Sequence, residues 1–275
     1  MTEKLTARRY LNEMKKVLFC GVVAAGLAAF VSGAQAHFQL VFTPETMLEK
    51  GGKLTLKMPF THPAESGHVM DMGVPEEFYS IRKGKKTDLM DKLKPIEWTS
   101  SANTGKAYEA EVKLRGLGDN VFVLKPAPFY EASEDIYIQQ ITKSYVNVGD
   151  LPTDWPEVQG LKTEIRPLTK PYNVIAGGTF SGVVLSEGKP VPFAEIEIEY
   201  LNFPADMENN KFAEMGLISS PAHAIRSDAS GNFTFGVPKA GTWGIVALAV
   251  GPDTEHEGKE LSQDAVIWIQ ARNVD

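Results

Sequence analysis

The amino-acid sequence predicts an all-β protein with two β-sandwich-like domains that follow a cleaved signal peptide. Three observations support this fold class. The chain of 275 residues is divided by 24 glycines and 17 prolines into short segments, many of which alternate between polar and apolar residues as half-buried strands do. No segment combines the length and the periodicity of an amphipathic helix. An apolar run near the amino terminus ends in a cleavage motif of small residues.

Residues 1–36 have the three parts of a secretory signal peptide. Residues 14–16 supply positive charge, residues 17–31 are apolar, and residues 34–36 (Ala-Gln-Ala) match a small-x-small cleavage motif. The apolar run is shorter than the roughly 20 residues that a membrane-spanning helix needs. We therefore expect export to the periplasm without stable membrane insertion, and His37 as the first residue of the mature protein.

Cleavage also changes the charge and the cysteine content of the chain. Removing residues 1–36 leaves 23 basic and 33 acidic side chains and changes the formal net charge from −7 to −10. It also removes Cys20, the single cysteine, which excludes disulfides and thiolate metal sites from the mature protein. An acidic protein is a poor partner for nucleic acid or anionic lipid and is suited to handling cations.

Residues 37–168 are predicted to form an N-terminal β domain. Within it, residues 136–148 are a long segment rich in β-branched and aromatic side chains, which is typical of a strand. Residues 107–114 and 120–124 are expected to pair as a hairpin around a glycine-rich turn. Closely spaced prolines then indicate a domain boundary near residue 168.

Residues 169–275 show the more regular pattern of a second sandwich. Residues 195–200 alternate strictly, with three glutamates predicted to face solvent and the apolar residues between them predicted to face the core. The stretches FSGVVLSEGKPVPFAEIEIEY and SDASGNFTFGVPKAGTWGIVALA resemble the transthyretin-like, or carboxypeptidase-regulatory-like, sandwich module. The resemblance implies an immunoglobulin-like or transthyretin-like β-sandwich, a fold that by itself says little about function.

Three of the five histidines fall within the first 32 residues of the predicted mature chain, namely His37, His62 and His68. An amino-terminal histidine has two nitrogen donors, its α-amino group and its imidazole, with pKa values of about 7.7–8.0 and 6.5. Because both groups can be neutral near pH 7, they can bind one metal ion together and form a chelate ring. His62 and His68 are spaced to flank a turn in which Gly67 allows the backbone to bend. We expect the three residues to bind one divalent transition-metal ion; the alternative for each is a solvated or hydrogen-bonded histidine.

The rest of the coordination shell is left open by the sequence. Five further residues are candidates: Glu65, Met70, Asp71, Glu131 and His256. The methionine is more simply explained by core packing and the carboxylates by solvation. Glu131 belongs to an acidic and aromatic segment that is most simply an exposed turn, and its alternative role is to orient a ligating histidine. Nitrogen ligands suit Ni²⁺, Co²⁺, Cu²⁺ or Zn²⁺, and the ligand set alone does not select among them.

The wider chain resembles a more specific family. The resemblance rests on five segments that occur in the same order and placing: AHFQLVFTPE, FTHPAESGH, YEASEDIYIQQITKSYVN, GLKTEIRPLTKPYNV and GPDTEHEGKELSQDAVIWIQ. They are similar to periplasmic accessory proteins of nickel and cobalt uptake systems, a family usually described only as a domain of unknown function. The resemblance covers nearly all of the mature chain. It implies a protein that captures Ni²⁺ or Co²⁺ and delivers the ion to a membrane uptake transporter.

Two other functions remain open. Copper carriers and copper-dependent polysaccharide oxidases also begin with a histidine, so a copper-binding carrier or oxidase is the first alternative. A non-metal adhesion or carbohydrate-binding β-sandwich is the second. The sequence contains no phosphate-binding glycine loop, no nucleophile elbow and no His-Glu-x-x-His motif. We therefore expect reversible coordination and not an enzyme.

Overall fold

The computed structural model describes residues 37–64, 67–213 and 222–274. The predicted signal peptide and Glu65 lie outside these residues. The all-β prediction is confirmed, since the one helix within the described residues is a single 3₁₀ turn, Met90–Lys92. In the same residues, no helix has the length and apolar character needed to cross a membrane.

The described residues form 24 strands. Those before residue 169 are β1 (Phe38–Gln39), β2 (Met47–Leu48), β3 (Lys53–Met58), β4 (Phe60–Thr61), β5 (Val69–Met70), β6 (Glu77–Arg82), β7 (Lys85–Asp88), β8 (Leu93–Thr99), β9 (Thr104–Lys113), β10 (Gly118–Lys125), β11 (Phe129–Glu131), β12 (Ile136–Val148) and β13 (Thr163–Pro167). Those after it are β14 (Val174–Ile175), β15 (Thr179–Ser186), β16 (Lys189–Pro190), β17 (Glu195–Tyr200), β18 (Ala205–Asp206), β19 (Lys211–Phe212), β20 (His223–Arg226), β21 (Asn232–Gly236), β22 (Gly241–Ala247), β23 (Glu255–His256) and β24 (Lys259–Arg272).

Four sheets organise the strands of the described residues. The largest has 12 strands, with the main order β20-β17-β22-β24-β12-β10-β6-β7. A four-stranded sheet, β13-β15-β16 with β21 paired to β15, covers one of its faces. A five-stranded sheet, β18-β19-β8-β9-β3, and a three-stranded sheet, β1-β4-β5, cover the other face. The chain is therefore built of sheets packed face to face, as in a sandwich.

The central strands of the largest sheet are buried on both faces. Along β10, Val121 and Val123 pack into the cluster shared with the four-stranded sheet, whereas Phe122 and Leu124 pack into the cluster shared with the five-stranded sheet. Successive side chains of a strand point to opposite faces, so a nearly continuous apolar run suits a strand in the middle layer. A third cluster lies beneath β1, where Phe38 packs with residues of β22 and β24.

Two long strands join the N-terminal and C-terminal parts of the chain within one sheet. β12 has the bounds that the sequence predicted. It pairs in parallel with β24, and Gln140 lies opposite Asp264. Strands from both sides of residue 168 therefore share the 12-stranded sheet. The division into domains at 168/169 stays a prediction.

The hairpin predicted for residues 107–114 and 120–124 is wrong. β9 pairs with β3 and β8, whereas β10 pairs with β6 and β12. The two strands belong to different sheets, because the chain crosses from one layer to the next through the turn that was expected to close the hairpin.

The alternation predicted along β17 is present, but of the three glutamates predicted to face solvent only Glu195 is exposed. Glu197 and Glu199 are buried, with 5% and 3% of their surface exposed. The amide of Ala64 donates to Glu199 Oε2 at 3.1 Å, and the amide of Asn202 donates to the carbonyl of Pro63 at 3.1 Å. The segment that follows His62 is thus anchored to a strand of the C-terminal part of the chain.

Candidate metal centre

The pairing of β1 with β4 places His37 beside His62. The strands are antiparallel, with Phe38 opposite Thr61, so one further step of this register brings His37 opposite His62. Residues opposite each other project from the same face of a sheet. The centroids of the two imidazole rings lie 4.5 Å apart, with 47° between the ring planes. The structure thus brings two of the three predicted ligands together, and we call His37 and His62 the histidine pair.

His68 lies next in register but is not part of the histidine pair. The antiparallel pairing of β4 with β5 aligns it with His62 across a turn. The Gly67 amide donates to the His62 carbonyl at 3.4 Å, and a Cβ at position 67 would lie 3.2 Å from the Cβ of His62. Glycine therefore allows the turn to pack closely against His62. His68 is exposed, and no ring contact joins it to the histidine pair among the described residues.

Glu131 contacts His37 from β11. Its Oε2 lies 3.2 Å from His37 Nε2, and the two side chains are only 17% and 16% exposed. Burial raises the pKa of the Glu131 carboxyl, but hydrogen bonds from Ser133, together with His37, outweigh that effect and bring the pKa below its ordinary value. The carboxylate is therefore ionised beside the imidazole at neutral pH.

The His37 imidazole is neutral at neutral pH. Burial, assisted by the neighbouring His62, lowers its pKa from 6.5 to about 4, although Glu131 acts in the opposite direction. A neutral imidazole carries one N–H and one lone pair. Because Nε2 faces the Glu131 carboxylate, the N–H belongs on Nε2 and the lone pair belongs on Nδ1. This is the arrangement in which a carboxylate orients a histidine that binds metal through its other nitrogen.

Aromatic side chains pack beside His37 and shield much of its ring from water. The rings of Phe60 and Phe129 have centroids 5.5 and 6.4 Å from that of His37. The same two phenylalanines line a small pocket together with Met72 and the amide side chain of Gln140. This largely apolar environment explains why burial has the largest effect on the pKa of His37.

The described residues contain no group of three or more His, Cys, Asp or Glu side chains arranged to hold a metal ion. The histidine pair offers two imidazoles, so a third donor has to come from another kind of group. The predicted cleavage before His37 would create such a group, because it would convert the backbone nitrogen of His37 into a free amine. The amine and Nδ1 of one histidine can close a chelate ring around a metal ion, and nitrogen donors suit the later divalent transition metals.

The other candidate ligands lie away from the histidine pair. Met70 is buried in the core. Asp71 accepts a hydrogen bond from a backbone amide at 2.7 Å. His256 packs edge-on against Tyr137, with centroids 4.7 Å apart, and His223 packs against aromatic residues of β21 and β22. Within the described parts of the chain, these histidines make no ring contact with the histidine pair.

The fold and the histidine pair define the class of this protein as an all-β protein with a candidate metal centre at its predicted mature amino terminus. Residues 34–251 match the family model described as "Domain of unknown function (DUF4198)". The chain belongs to that family. A search of curated proteins finds no match.

Solved structures share only distant similarity with the chain. Trypsin-activated alpha-2-macroglobulin from Escherichia coli is 11% identical with a TM-score of 0.22, and the match covers 86% of this chain but only 16% of that one. The fibronectin(III)-like modules of Clostridium thermocellum CbhA are 9% identical with a TM-score of 0.20, covering 86% and 95% of the two chains. The D00-D0 domain of intimin is 11% identical with a TM-score of 0.21, covering 87% and 100%. Similarities at this level carry no argument about function.

Proposed function

We propose that this protein is an exported, periplasmic carrier that captures a divalent transition-metal ion and delivers it to a membrane uptake transporter. The cargo favoured by the family resemblance is Ni²⁺ or Co²⁺. The observation that supports metal binding is the contact within the histidine pair, whose ring centroids lie 4.5 Å apart at the predicted mature terminus.

The proposed ligands are the α-amino group and Nδ1 of His37 and an imidazole nitrogen of His62. The ion pair with Glu131 supports Nδ1 as the ligating atom, because the carboxylate lies 3.2 Å from Nε2 and accepts its proton. His68, which follows next in register, is the proposed additional donor.

Release is proposed to depend on competing ligands of the transporter and not on protonation of His37. Since the pKa of this imidazole is lowered to about 4, protons do not displace a metal ion from it near neutral pH. The α-amino group has an ordinary pKa of about 7.7–8.0. It is therefore the donor for which protons compete as the pH falls below 8.

Isothermal titration calorimetry of protein that begins at His37 tests this proposal. We expect one site per chain for Ni²⁺ or Co²⁺. An added alanine before His37 ties the amine into a peptide bond and should weaken binding by about tenfold or more, or roughly 1.4 kcal/mol. His62→Ala should weaken it comparably, whereas the control His256→Ala should bind as the unmodified protein does.

Two results would overturn the proposal in different ways. Equal affinity of the native and the alanine-extended proteins would exclude the amine chelate. Failure of the processed protein to bind Ni²⁺, Co²⁺, Cu²⁺ or Zn²⁺ would exclude metal carriage and favour a non-metal β-sandwich function.

A copper-binding carrier or oxidase is the second candidate, and the composition of the histidine pair favours it. His37 and His62 are in ring contact while His68 is exposed, so the donors nearest one another are two imidazoles and the predicted amine. Three nitrogen donors suit the tetragonal geometry of Cu²⁺.

Three measurements separate copper from nickel or cobalt. Nitrogen hyperfine structure in the EPR spectrum of the Cu²⁺-loaded protein would report the donor set. Peroxide production driven by ascorbate would identify an oxidase. Since Cu²⁺ binds most sites more tightly than Ni²⁺ does, the deciding measurement is the metal content of protein exported and cleaved in its own host.

A further inference from the structure

A buried side chain helps to hold strand β1 on the largest sheet, where the indole Nε1 of Trp268 also donates to the carbonyl of Gln39 at 2.9 Å. Gln140 on β12 is only 2% exposed. Its Nε2 donates to the carbonyl oxygen of His37 at 2.6 Å, and its Oε1 accepts from the amide of Gln39 at 2.8 Å. Among the described strands, β1 pairs only with β4. The amide group of Gln140 therefore acts on β1 as the backbone of a second neighbouring strand would.

The orientation of this amide group is set by Asp264 on β24. Gln140 Nε2 lies 3.2 Å from Asp264 Oδ2, so its two N–H groups serve this oxygen and the carbonyl of His37. Asp264 accepts a further hydrogen bond from the amide of Ala249 at 2.8 Å. A carboxylate only accepts hydrogen bonds. It therefore requires the NH₂ side of Gln140 to face it, which leaves Oε1 for the amide of Gln39.

We propose that Gln140 is a positioning residue of the metal site that acts on the backbone of His37, and this inference rests on the proposed function. The carbonyl carbon that Gln140 fixes is bonded to the same Cα that carries the imidazole and the predicted free amine of His37. Fixing this carbonyl and the amide of Gln39 that follows it directs both donors toward His62. Without it, the first residue of a chain held by one short strand would fray, as termini commonly do.

Gln139 provides a matched control on the same strand. It is 3% exposed, donates to the carbonyl of Pro126 at 2.9 Å and accepts from Gln263 at 2.8 Å. Because successive residues of a strand point to opposite faces, its side chain lies on the other side of β12 from His37. Gln139→Met and Gln140→Met therefore remove the same chemical group from equally buried positions, and only Gln140→Met removes the contacts to β1.

The first measurement is amide hydrogen exchange of Gln39 in metal-free protein that begins at His37. We expect Gln140→Met to accelerate this exchange by about tenfold or more relative to Gln139→Met, because the amide loses its acceptor and β1 opens locally. Equal exchange in the two variants would overturn the positioning role. This measurement does not depend on whether the protein binds metal.

The second measurement is the affinity of the same proteins for Ni²⁺ and Cu²⁺. Gln140→Met should bind about 10- to 100-fold more weakly, as is usual when a residue that orients a ligand is removed. Gln139→Met should bind as the unmodified protein does, and equal weakening by both variants would overturn the positioning role. If the unmodified protein binds neither ion, the proposed function fails, and the exchange of Gln39 alone decides whether Gln140 holds the terminus.

If the Gln140→Met protein does not fold, Gln140→Glu is the substitute variant. It keeps an oxygen to accept from Gln39 but has no N–H to donate to His37. Weakened metal binding with protected Gln39 exchange would support positioning through the His37 carbonyl. Full metal affinity would overturn it.

Discussion

The imidazole of His37 should remain neutral down to about pH 5, and its titration measures the electrostatics of the histidine pair directly. Burial, assisted by His62, lowers its pKa from 6.5 to about 4. At pH 6 a ring with a pKa of about 4 is protonated in about 1% of molecules, whereas an unperturbed ring is protonated in about three quarters of them. Imidazole proton and carbon shifts from NMR, followed between pH 3 and 8 on metal-free protein, report this difference.

Two substitutions should move the pKa of His37 in opposite directions. His62→Leu removes the electrostatic effect of the neighbouring imidazole, which lowers the pKa of His37, so this pKa should rise. Glu131→Gln removes the carboxylate, which raises the pKa, so the pKa should fall further. His256→Gln, a control that lies with Tyr137, should leave it unchanged. A His37 pKa near 6.5 in the unmodified protein, or shifts of the same sign in both variants, would refute the reasoning.

The pH dependence of thermal stability cannot replace the NMR titration as a measure of the His37 pKa. The depressed pKa of His37 contributes stability that is present above pH 6.5 and lost as the pH falls through 4, at about 1.4 kcal/mol per pH unit. Burial raises the pKa of Asp264 from 3.8 to about 6. This carboxyl contributes stability that is present below pH 3.8 and lost as the pH rises through 6. The two effects oppose each other between pH 4 and 6, so only a signal specific to His37 separates them.

Two further predictions concern the stability of the fold. Glu164→Gln should lower the free energy of unfolding by about 3–5 kcal/mol, because it leaves the ammonium of Lys143 buried without its counter-ion; both side chains are 0% exposed, with Nζ and Oε2 2.6 Å apart. Urea denaturation measures the free energy of unfolding. The control Lys53→Ala breaks an exposed ion pair and should cost under about 1 kcal/mol. A loss in Glu164→Gln no larger than in this control would contradict the prediction. Gly244→Ala places a Cβ 2.8 Å from the ring of Phe38. It should cost about 1–3 kcal/mol and weaken metal binding by displacing β1; unchanged melting and affinity would show that β1 adapts.

The sequence predicted the structural features that depend on residues close together in the chain. Strand β12 has the predicted bounds, since its β-branched and aromatic side chains favour extended backbone along the whole segment. A tight turn after Ser227 depends on neighbouring residues in the same way. The carboxylate of Asp228 accepts from the amides of Ser230 and Asn232 at 2.7 and 2.9 Å, as an aspartate at the start of a turn commonly does.

The sequence predicted the histidines of the candidate site, but the contacts that position His37 join residues far apart in the chain and were not predictable from local pattern. Gln140 is a polar residue within a strand and gave no signal of its own, because its partner His37 lies 103 residues away. Glu131 was expected in an exposed turn, and its contact with His37 follows from where β1 crosses the largest sheet. Glu197 and Glu199 were expected in solvent because alternation tells which side chains share a face but not what covers that face.

The parallel pairing of β12 with β24 determines when the anchor of the candidate site can form. Gln140 precedes Asp264 by 124 residues, so the anchor of β1 is complete only after the last strand has joined the sheet. Contacts between such distant residues form slowly because a long loop must close first. In a chain that leaves the export machinery amino terminus first, His37 would be among the earliest residues to reach the periplasm. The anchored candidate site would nevertheless be complete only after the carboxy-terminal strand β24 has joined the sheet.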